Sequence, residues 1–400
     1  MIQRNEATKQ RNVAIKQSIE ATAGRLSALA AARAPTRLDQ ALLLAVEGNT
    51  LADTEGSRSA LAGVLGASPR LTAMRHPWNK RVVGAWRSVT SDRIAVLLED
   101  GTARVWNTAT WRPASPPLRL GAGKPNAMGF SQDGHTLIVA SRTVGDRVAD
   151  PSLLRAIDVV SGKQVGQTAD VALGAGSVLG VLPDRTVMVK GVGLQGISRV
   201  VIPGFSRAEP HAFDDWKEHT PGQQGSFAVG HAGGLDPTGK RVVVSFGGQG
   251  FALLDTADGA LVGAGGLDTV TAVLTALVFS PSGRVVAAAD QAGDIHLYDM
   301  PSFKVHGNPI STQRGPVSAV TFSSDGSKLV ATNDDHTVSA WSVDDGRPVA
   351  PIFVGQTSNV AGGAWFTASG DVVSVGADEV ISWSTGAPAT LGRVRAVSTP

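Results

Sequence analysis

The sequence predicts an all-β fold, a seven-bladed β-propeller, preceded by a small α-helical segment. Three observations lead there. Short β-branched runs alternate with Gly-containing turns from about residue 69 onward, these runs recur at a nearly constant spacing, and the first 68 residues follow a helical period. The clearest unit is Gly315 to Pro348. Val317 to Phe322 reads as one strand, Ser324-Asp325-Gly326 as a turn in which Gly takes positive φ, and Leu329 to Thr332 as a second strand. Asn333 to His336 is the next turn, and Thr337 to Val343 a third strand around Trp341, ended by Asp344-Asp345-Gly346. A unit of this size cannot bury two apolar faces alone, so further copies are expected.

With Phe322 marking the end of strand one, the equivalents are Val89, Phe130, Val181, Leu235, Phe279 and Phe366. Successive spacings of 41, 51, 54, 44, 43 and 44 residues bracket the period of about 40 to 45 expected of a four-stranded blade. The large residue of strand three gives a second marker in the same register: Trp106, Ile157, Val200, Leu254, Tyr298, Trp341 and Trp383. Matched positions for large side chains point to packing between neighbouring blades.

The motifs Phe279-Ser280-Pro281-Ser282-Gly283, Phe322-Ser323-Ser324-Asp325-Gly326, Asp335-x-Thr337-Val338-x-x-Trp341 and Asp100-Gly101-Thr102-x-x-x-Trp106 resemble the WD40 repeat family over roughly residues 69 to 390. The resemblance implies a WD40-like propeller, usually a platform for other proteins. The chain departs from the pattern in several places. No Trp-Asp dipeptide is present, and the family's Gly-His pair appears as Gly355-Gln356 in the last repeat and Thr312-Gln313 in the sixth, with only Gly230-His231 retained. The family's buried Asp, His and Trp hydrogen-bond set is therefore expected to be incomplete.

At the front, residues 5 to 33 read as one helix with Ile15, Ile19, Ala23, Leu26 and Leu29 on one stripe. Thr36-Arg37-Leu38-Asp39 has the form of a capping box, opening a second helix with Leu38, Leu42, Ala45 and Val46 inward, and a third helix covers Ser57 to Leu65. Residues 1–68 are thus expected as a helical segment and 69–400 as the propeller. The runs Arg11-Asn12-Val13-Ala14-Ile15 and Leu42-Leu43-Leu44-Ala45-Val46-Glu47 resemble the segment that joins bacterial STAND-type signalling ATPases to a C-terminal WD40 propeller; a plain helical cap is the alternative. Arg4, Lys9, Arg11 and Lys16 against Glu6 make the first 17 residues basic, either a solvated helix face or a contact with an anionic membrane.

Arg70 to Met74 has no partner strands of its own and is expected to close the last blade beside Val380 to Trp383, with Arg393 to Val397 as the competitor. Two repeats carry insertions. One lies near Arg142 to Pro151, and the other between Val200 and Leu235 holds His211, Phe213, Asp214, Asp215, Trp216 and His219. Such a loop either serves function or closes over a blade edge.

Chemistry-bearing motifs are weak. Gly234-Leu-Asp-Pro-Thr-Gly239-Lys240-Arg241 comes close to a phosphate-binding loop, yet an apolar strand follows where a helix is needed, and Gly191-Val-Gly193-Leu-Gln-Gly196 falls at a turn. The eight His residues have no helical metal spacing and there is no Cys, which excludes disulfides and thiolate sites. Neither cofactor nor metal is expected, and first strands without polar side chains argue against an enzyme. A near balance of 36 basic and 34 acidic residues gives no field for nucleic acid. Absence of a signal pattern or apolar span makes cytoplasm the expected location, and the Ala, Gly, Val and Arg bias suggests a bacterial source.

The expected function is a non-catalytic protein-interaction or sensor scaffold, with another protein as partner, and one possible setting is the tail of a signalling ATPase. Its contact face is formed by the turns entering strand one and leaving strand two, where Arg81, Glu99, Arg142, Lys190, Asp290, Gln313, Arg314, Asn333, Asp334 and Asn359 are placed, together with Phe213 and Trp216 on the long insertion. The alternative is an enzyme or small-molecule-binding propeller with its site at the channel mouth or in the 205–232 loop.

Overall fold

In the computed structural model, Val317–Phe322, Lys328–Asn333 and Val338–Ser342 pair antiparallel as one sheet, the unit read from the sequence. The structure describes residues 2–34, 37–88, 91–121, 123–142, 152–171, 175–191, 197–206, 229–246, 250–266, 273–356, 363–386 and 395–397. Seven sheets follow one another along the chain, giving a seven-bladed β-propeller preceded by three helices. Blade 1 begins at Val82–Arg87, blade 2 at Lys124–Phe130, blade 3 at Ala175–Val181, blade 4 at Val229–Leu235, blade 5 at Leu274–Phe279, blade 6 at Val317–Phe322 and blade 7 at Ala364–Phe366.

Each blade is pinned by one cross-strand row. The residue opposite the strand-one marker is also opposite the strand-three marker: Leu329 lies between Phe322 and Trp341, Val286 between Phe279 and Tyr298, and Leu137 between Phe130 and Ile157. Middle strands are buried on both faces, which is why Ile94–Leu97 and Val285–Ala289 are continuous apolar runs without alternation. Blade 1 differs from expectation. Ile94 faces Arg87 on one side and Trp106 on the other, so Arg87 holds the strand-end position assigned to Val89, and Val89 lies outside the described residues. An Arg at a position otherwise apolar hid the register there.

The apolar clusters explain why a ring forms. One joins blades 1 and 2 (Leu97 with Met128), and others join 2 and 3 (Ile138 with Val189), 3 and 4 (Met188 with Val242), 4 and 5 (Phe251 with Tyr298), and 5 and 6 (Leu297 with Leu329). Phe353 with Trp383 spans blades 6 and 7, and Trp78 with Trp365 spans 7 and 1. Each sheet hides a face of the next, and the last hides the first.

The ring is also tied through the backbone. Leu71–Arg75 pairs antiparallel with Val380–Trp383 of blade 7, as expected for the closing strand. The supposed competitor is accommodated as well: Arg395–Val397 pairs parallel on the outer side of Leu71–Arg75, so blade 7 has five strands.

The fourth, outer strand is regular in blade 2 (Gln164–Val171) and blade 4 (Leu261–Gly265) and irregular in blades 1, 5 and 6. In blades 1 and 6 it touches strand three only at isolated bridges, Trp106 with Pro113 and Ala103 with Leu118, then Trp341 with Pro348 and Val338 with Phe353. In blade 5 it is split into Lys304–Val305 and Ile310–Ser311. Between the two touches one N–H returns to strand three: Ala114 to Val105, Val349 to Ala340 and His306 to Leu297, each at 2.8 Å. Proline removes ladder donors on this outermost strand, which blunts an edge open to other chains.

The turn from strand one to strand two is built by the recurring Ser. Its Oγ accepts the N–H at the start of the next strand, Ser131 from Thr136 (2.9 Å), Ser323 from Lys328 (2.9 Å) and Ser280 from Val285 (3.1 Å), while Gly326 supplies φ of 75°. In blade 6 the Ser323 hydroxyl also donates to Asp325 Oδ1 at 2.5 Å. That bond, then the Ser327 N–H and hydroxyl, hold the Asp325 carboxyl down to about 2. A depressed carboxylate stabilises the fold above its ordinary value of about 3.9 and loses that contribution as pH falls through the lowered one. Ser323→Ala is expected to move the Asp325 midpoint upward in an NMR carboxyl titration; an unmoved midpoint would contradict the assignment. The near-phosphate-loop motif is the same kind of turn: Asp236 Oδ1 accepts the Arg241 N–H at 2.8 Å, and Arg241–Phe246 follows as a strand.

The helices are α1 (Ile2–Arg33), α2 (Leu38–Leu51) and α3 (Glu55–Ala67). The N-cap of α2 is Arg37, without a side-chain cap, and Thr36 lies outside the described residues; the capping box of the segment is instead at Thr54 and Ser57 on α3. The buried stripe is Ala23 and Ala30 on α1 against Leu38, Ala41 and Ala45 on α2, small residues that let the helices approach, while Leu29 is 49% exposed. Leu38 and Val64 join the cluster of blades 6 and 7, and the Ser68 hydroxyl donates to the Val354 carbonyl at 2.8 Å. Gly355, at φ 136°, is required here: a Cβ would lie 2.6 Å from Leu38 Cδ2.

Candidate functional site

In blades 1, 5 and 6 the turns entering strand one and leaving strand two meet through the backbone. Glu99 N–H donates to the Arg81 carbonyl (2.9 Å), Gln291 N–H to that of Val273 (3.0 Å) and Asp334 N–H to that of Pro316 (3.0 Å). The same bond in blades 1, 5 and 6 makes this rim a set of short cross-linked turns. Side chains mounted on it lose less freedom on binding than those of a free loop.

Its charged groups fall into two sets. Lys80 Nζ is 2.5 Å from Asp100 Oδ2, and Arg314 Nη1 is 3.8 Å from Asp335 Oδ2. The Lys80 ammonium and the Thr102 hydroxyl and N–H hold the Asp100 carboxyl well below the usual carboxylate range. Arg81, Glu99 and Asp334 are exposed and make no ion pair among the described residues. Gln313 is exposed beside them with φ 53°, in the left-handed region.

Two of the expected contact residues turn inward. Asp290 is 0% and Asn333 1% exposed. Asp290 Oδ1 accepts the N–H groups of Ala292 (3.0 Å) and Asp294 (2.9 Å), and Asn333 Nδ2 donates to Thr337 Oγ1 (3.2 Å). Both are buried and shape the turn between strands two and three, so neither side chain reaches a protein partner at the rim. Their polar character in a turn drew them into the contact set, and only the fold reveals the direction of the side chain. Arg142 is half-buried at the end of its strand, opposite Ser152 and Lys124. Lys190 also sits at a strand end, between Ile197 and Ser177. Phe213, Trp216 and Asn359 lie outside the described residues, as does most of the 205–232 loop.

A second polar constellation lies beneath the rim in blade 7. Trp383 Nε1 donates to Ser374 Oγ (3.1 Å), Ser374 Oγ to Gln356 Oε1 (2.6 Å), and Gln356 Nε2 to Glu379 Oε1 (2.9 Å). The set expected to be incomplete is here continuous. Gln356 relays the bond in place of a His, and Glu379, one residue before strand three, supplies the carboxylate. The relay has neither the His nor the Asp of the family pattern; its signal in the sequence is a polar residue after Gly355 paired with an acid before the Val380 strand.

Two cavities, about 220 and 260 Å³, sit at the opposite ends of the blades. The first is lined by Asp236, Lys240, Arg241 and Phe279 among others, the second by Lys328, Ser342 and Asp344 among others. Both lie beside turns between strands one and two, away from the rim. Arg87 is a further cation that the sequence reading passed over: its guanidinium lies 5.3 Å from the Trp365 ring centre on the seam of blades 7 and 1, and burial lowers its pKa.

The fold class follows from this geometry: a closed seven-bladed β-propeller. Residues 307–342 match the family described as WD domain, G-beta repeat, the stretch ending in the third strand of blade 6. Among solved structures the chain is similar to the β-propeller domain of Cps50 (Swd1) from Myceliophteria thermophila, with 14% identity, a TM-score of 0.61, and coverage of 78% of this chain and 98% of that one. At that identity the likeness is one of fold. No curated protein matches the chain.

Proposed function

We propose that the chain is a non-catalytic protein-interaction or sensor scaffold, in which the propeller presents its rim to a protein partner. WD40 propellers are typically scaffolds of this kind, and one observation supports the reading most directly. The exposed Arg81, Glu99, Gln313, Arg314 and Asp334 stand on turns braced by the repeated backbone bond, which gives mixed charges a fixed spacing. Fixed complementary charges favour specificity and association rate over raw affinity. The partner-facing set is accordingly those five, with Arg142 and Lys190 at its margin, Asn359 on the turn entering blade 7, and Phe213 and Trp216 as contributors from the long insertion.

The division into a helical segment, 1–68, and a propeller, 69–400, belongs to the same proposal. So does a setting as the tail module of a bacterial signalling ATPase in the cytoplasm. The docking of α2 and α3 on blades 6 and 7 supports it, since that contact couples the orientation of α1 to the ring. No helix among the described residues is long and apolar enough to cross a membrane.

The test is capture from native lysate with the immobilised chain, beside an Arg81→Glu, Arg314→Glu, Asp334→Lys variant. A partner held by the parent chain and lost by the variant, with unchanged far-UV circular dichroism, is the expected result. Equal capture by both removes the rim from the binding face, and capture of no protein by either counts against the scaffold reading.

A further inference from the structure

Blade 5 holds three metal-ligating side chains where its neighbour holds neutral ones. Asp290 ends strand two, Asp294 begins strand three, and His296 follows two residues later. The matching positions of blade 6 are Asn333, Thr337 and Ser339, as the paired registers of the two hairpins show. There the side chains hydrogen-bond one another or the neighbouring Trp: Asn333 Nδ2 donates to Thr337 Oγ1 at 3.2 Å, and Ser339 Oγ accepts Trp341 Nε1 at 2.9 Å, with the buried Asn333 Oδ1 left over. In blade 5 the corresponding side chains make no hydrogen bond to one another.

Asp290 Oδ1 is fully used by two turn N–H groups, which fixes the carboxylate plane, while the buried Oδ2 has no hydrogen-bond partner. It faces His296 Nε2 across 3.7 Å, and His296 is 6% exposed with Nδ1 also unpartnered. That separation is too long for a hydrogen bond. It is the distance expected between two ligand atoms each about 2.0–2.2 Å from one ion. One ligand atom from each of Asp290, Asp294 and His296 lies within 4.8 Å of the others.

We propose that this hairpin binds a divalent transition-metal cation of the zinc class through Asp290 Oδ2, the Asp294 carboxylate and His296, with water completing the shell. Two carboxylates and a neutral imidazole balance a divalent charge, and an imidazole among only three protein ligands suits zinc or cobalt rather than calcium, which takes about six to eight oxygens. Asp294, half-buried at the turn, gives the ion its path from solvent. The site lies on the rim side of blade 5 and is independent of what the rim binds. The sequence reading passed over it because the ligands converge across a β-hairpin, in the order Asp-x-x-x-Asp-x-His, instead of along a helix.

The experiment dialyses the full chain against chelator, then adds Co²⁺ as a spectroscopic probe and Zn²⁺ in equilibrium dialysis with elemental analysis. One ion per chain, d–d absorption of low-symmetry four- or five-coordinate cobalt, and a raised melting temperature are expected. An Asp290→Asn, Asp294→Thr, His296→Ser variant, which copies the blade 6 set and so preserves the hairpin, should lose the ion and the thermal shift. His306→Gln, which removes a surface imidazole 2.9 Å from Asp299, should leave both unchanged. No bound ion in the parent chain, equal binding by the blade 6 copy, or loss of the ion only in His306→Gln would each overturn the assignment.

Discussion

Replacing Trp383 by alanine should lower stability by about 3–5 kcal/mol, the range for removing a fully buried large aromatic, and be the most damaging change among the seven strand-three markers. Four features converge on this one residue. It is 0% exposed, it stacks on Phe353 with centroids 5.5 Å apart, and its backbone faces Leu71 of the closing strand. Its indole N–H also starts the relay through Ser374 and Gln356 to Glu379. Trp383→Phe keeps most of the packing but strips the donor, and should cost nearer the value of one net hydrogen bond, about 1 kcal/mol. Trp106, half-buried at the same position in blade 1, carries no such relay among the described residues, so Trp106→Ala should fall between the two. Urea unfolding followed by tryptophan-independent circular dichroism gives the order. If Trp106→Ala proved as costly as Trp383→Ala, the special weight given to the closing blade would be wrong.

How much of this was legible beforehand depended on whether a residue's role is set by its strand position or by what lies across the seam. Phe130, Val181, Leu235, Phe279, Phe322 and Phe366 are each the last residue of strand one, because an apolar side chain before the tight turn is demanded locally and again by the row behind it; the turn carries Gly in all but Val181's blade, where Arg185 takes the positive φ. The closing strand was visible for a similar reason, as a β run with no partners of its own. Arg87 broke the register because its stem packs while its head lies over Trp365, a residue almost a full circuit away in sequence. The outer strands of blades 1, 5 and 6 were illegible because prolines and single bridges carry no alternation. Of the expected rim, Arg81, Glu99, Gln313, Arg314 and Asp334 do stand exposed, while Asp290 and Asn333 are drawn inward by the turns they build. On α1 the helical period was right, but which residues were buried depended on α2: the small Ala23 and Ala30 face it, and Ile15 and Ile19 extend the stripe into solvent.

Met74→Pro should open the ring. Met74 faces Ile381 on one side and Ala396 on the other, so its strand is interior to the five-stranded sheet although it comes from the far end of the chain. Proline has no N–H to give and is tolerated in sheets only at edges or bulges; the one irregularity in this pairing lies between Leu71 and Ala73, away from Met74. The lost bond leaves a partner carbonyl unsatisfied, at a cost of about 1–3 kcal/mol. The larger consequence is topological. Leu71–Arg75 ties the start of the ring to blade 7, and with that tie gone blades 7 and 1 are held by the apolar seam around Trp78, Trp111 and Trp365 and by the Val82 N–H bond to the Ala377 carbonyl. Amide exchange at Val380–Trp383 should then accelerate by at least about 5-fold, the factor that about 1 kcal/mol represents, while exchange at Val285–Asp290 across the ring stays slow. Truncation before Arg395 is the control that separates pairing from closure. It strips the outer, parallel neighbour of the same strand yet leaves the antiparallel pairing with blade 7, so protection at Val380–Trp383 should persist. If the truncation loosened those amides as much as Met74→Pro, the parallel strand from the C-terminal side, and not Leu71–Arg75, would be the element that fastens the ring.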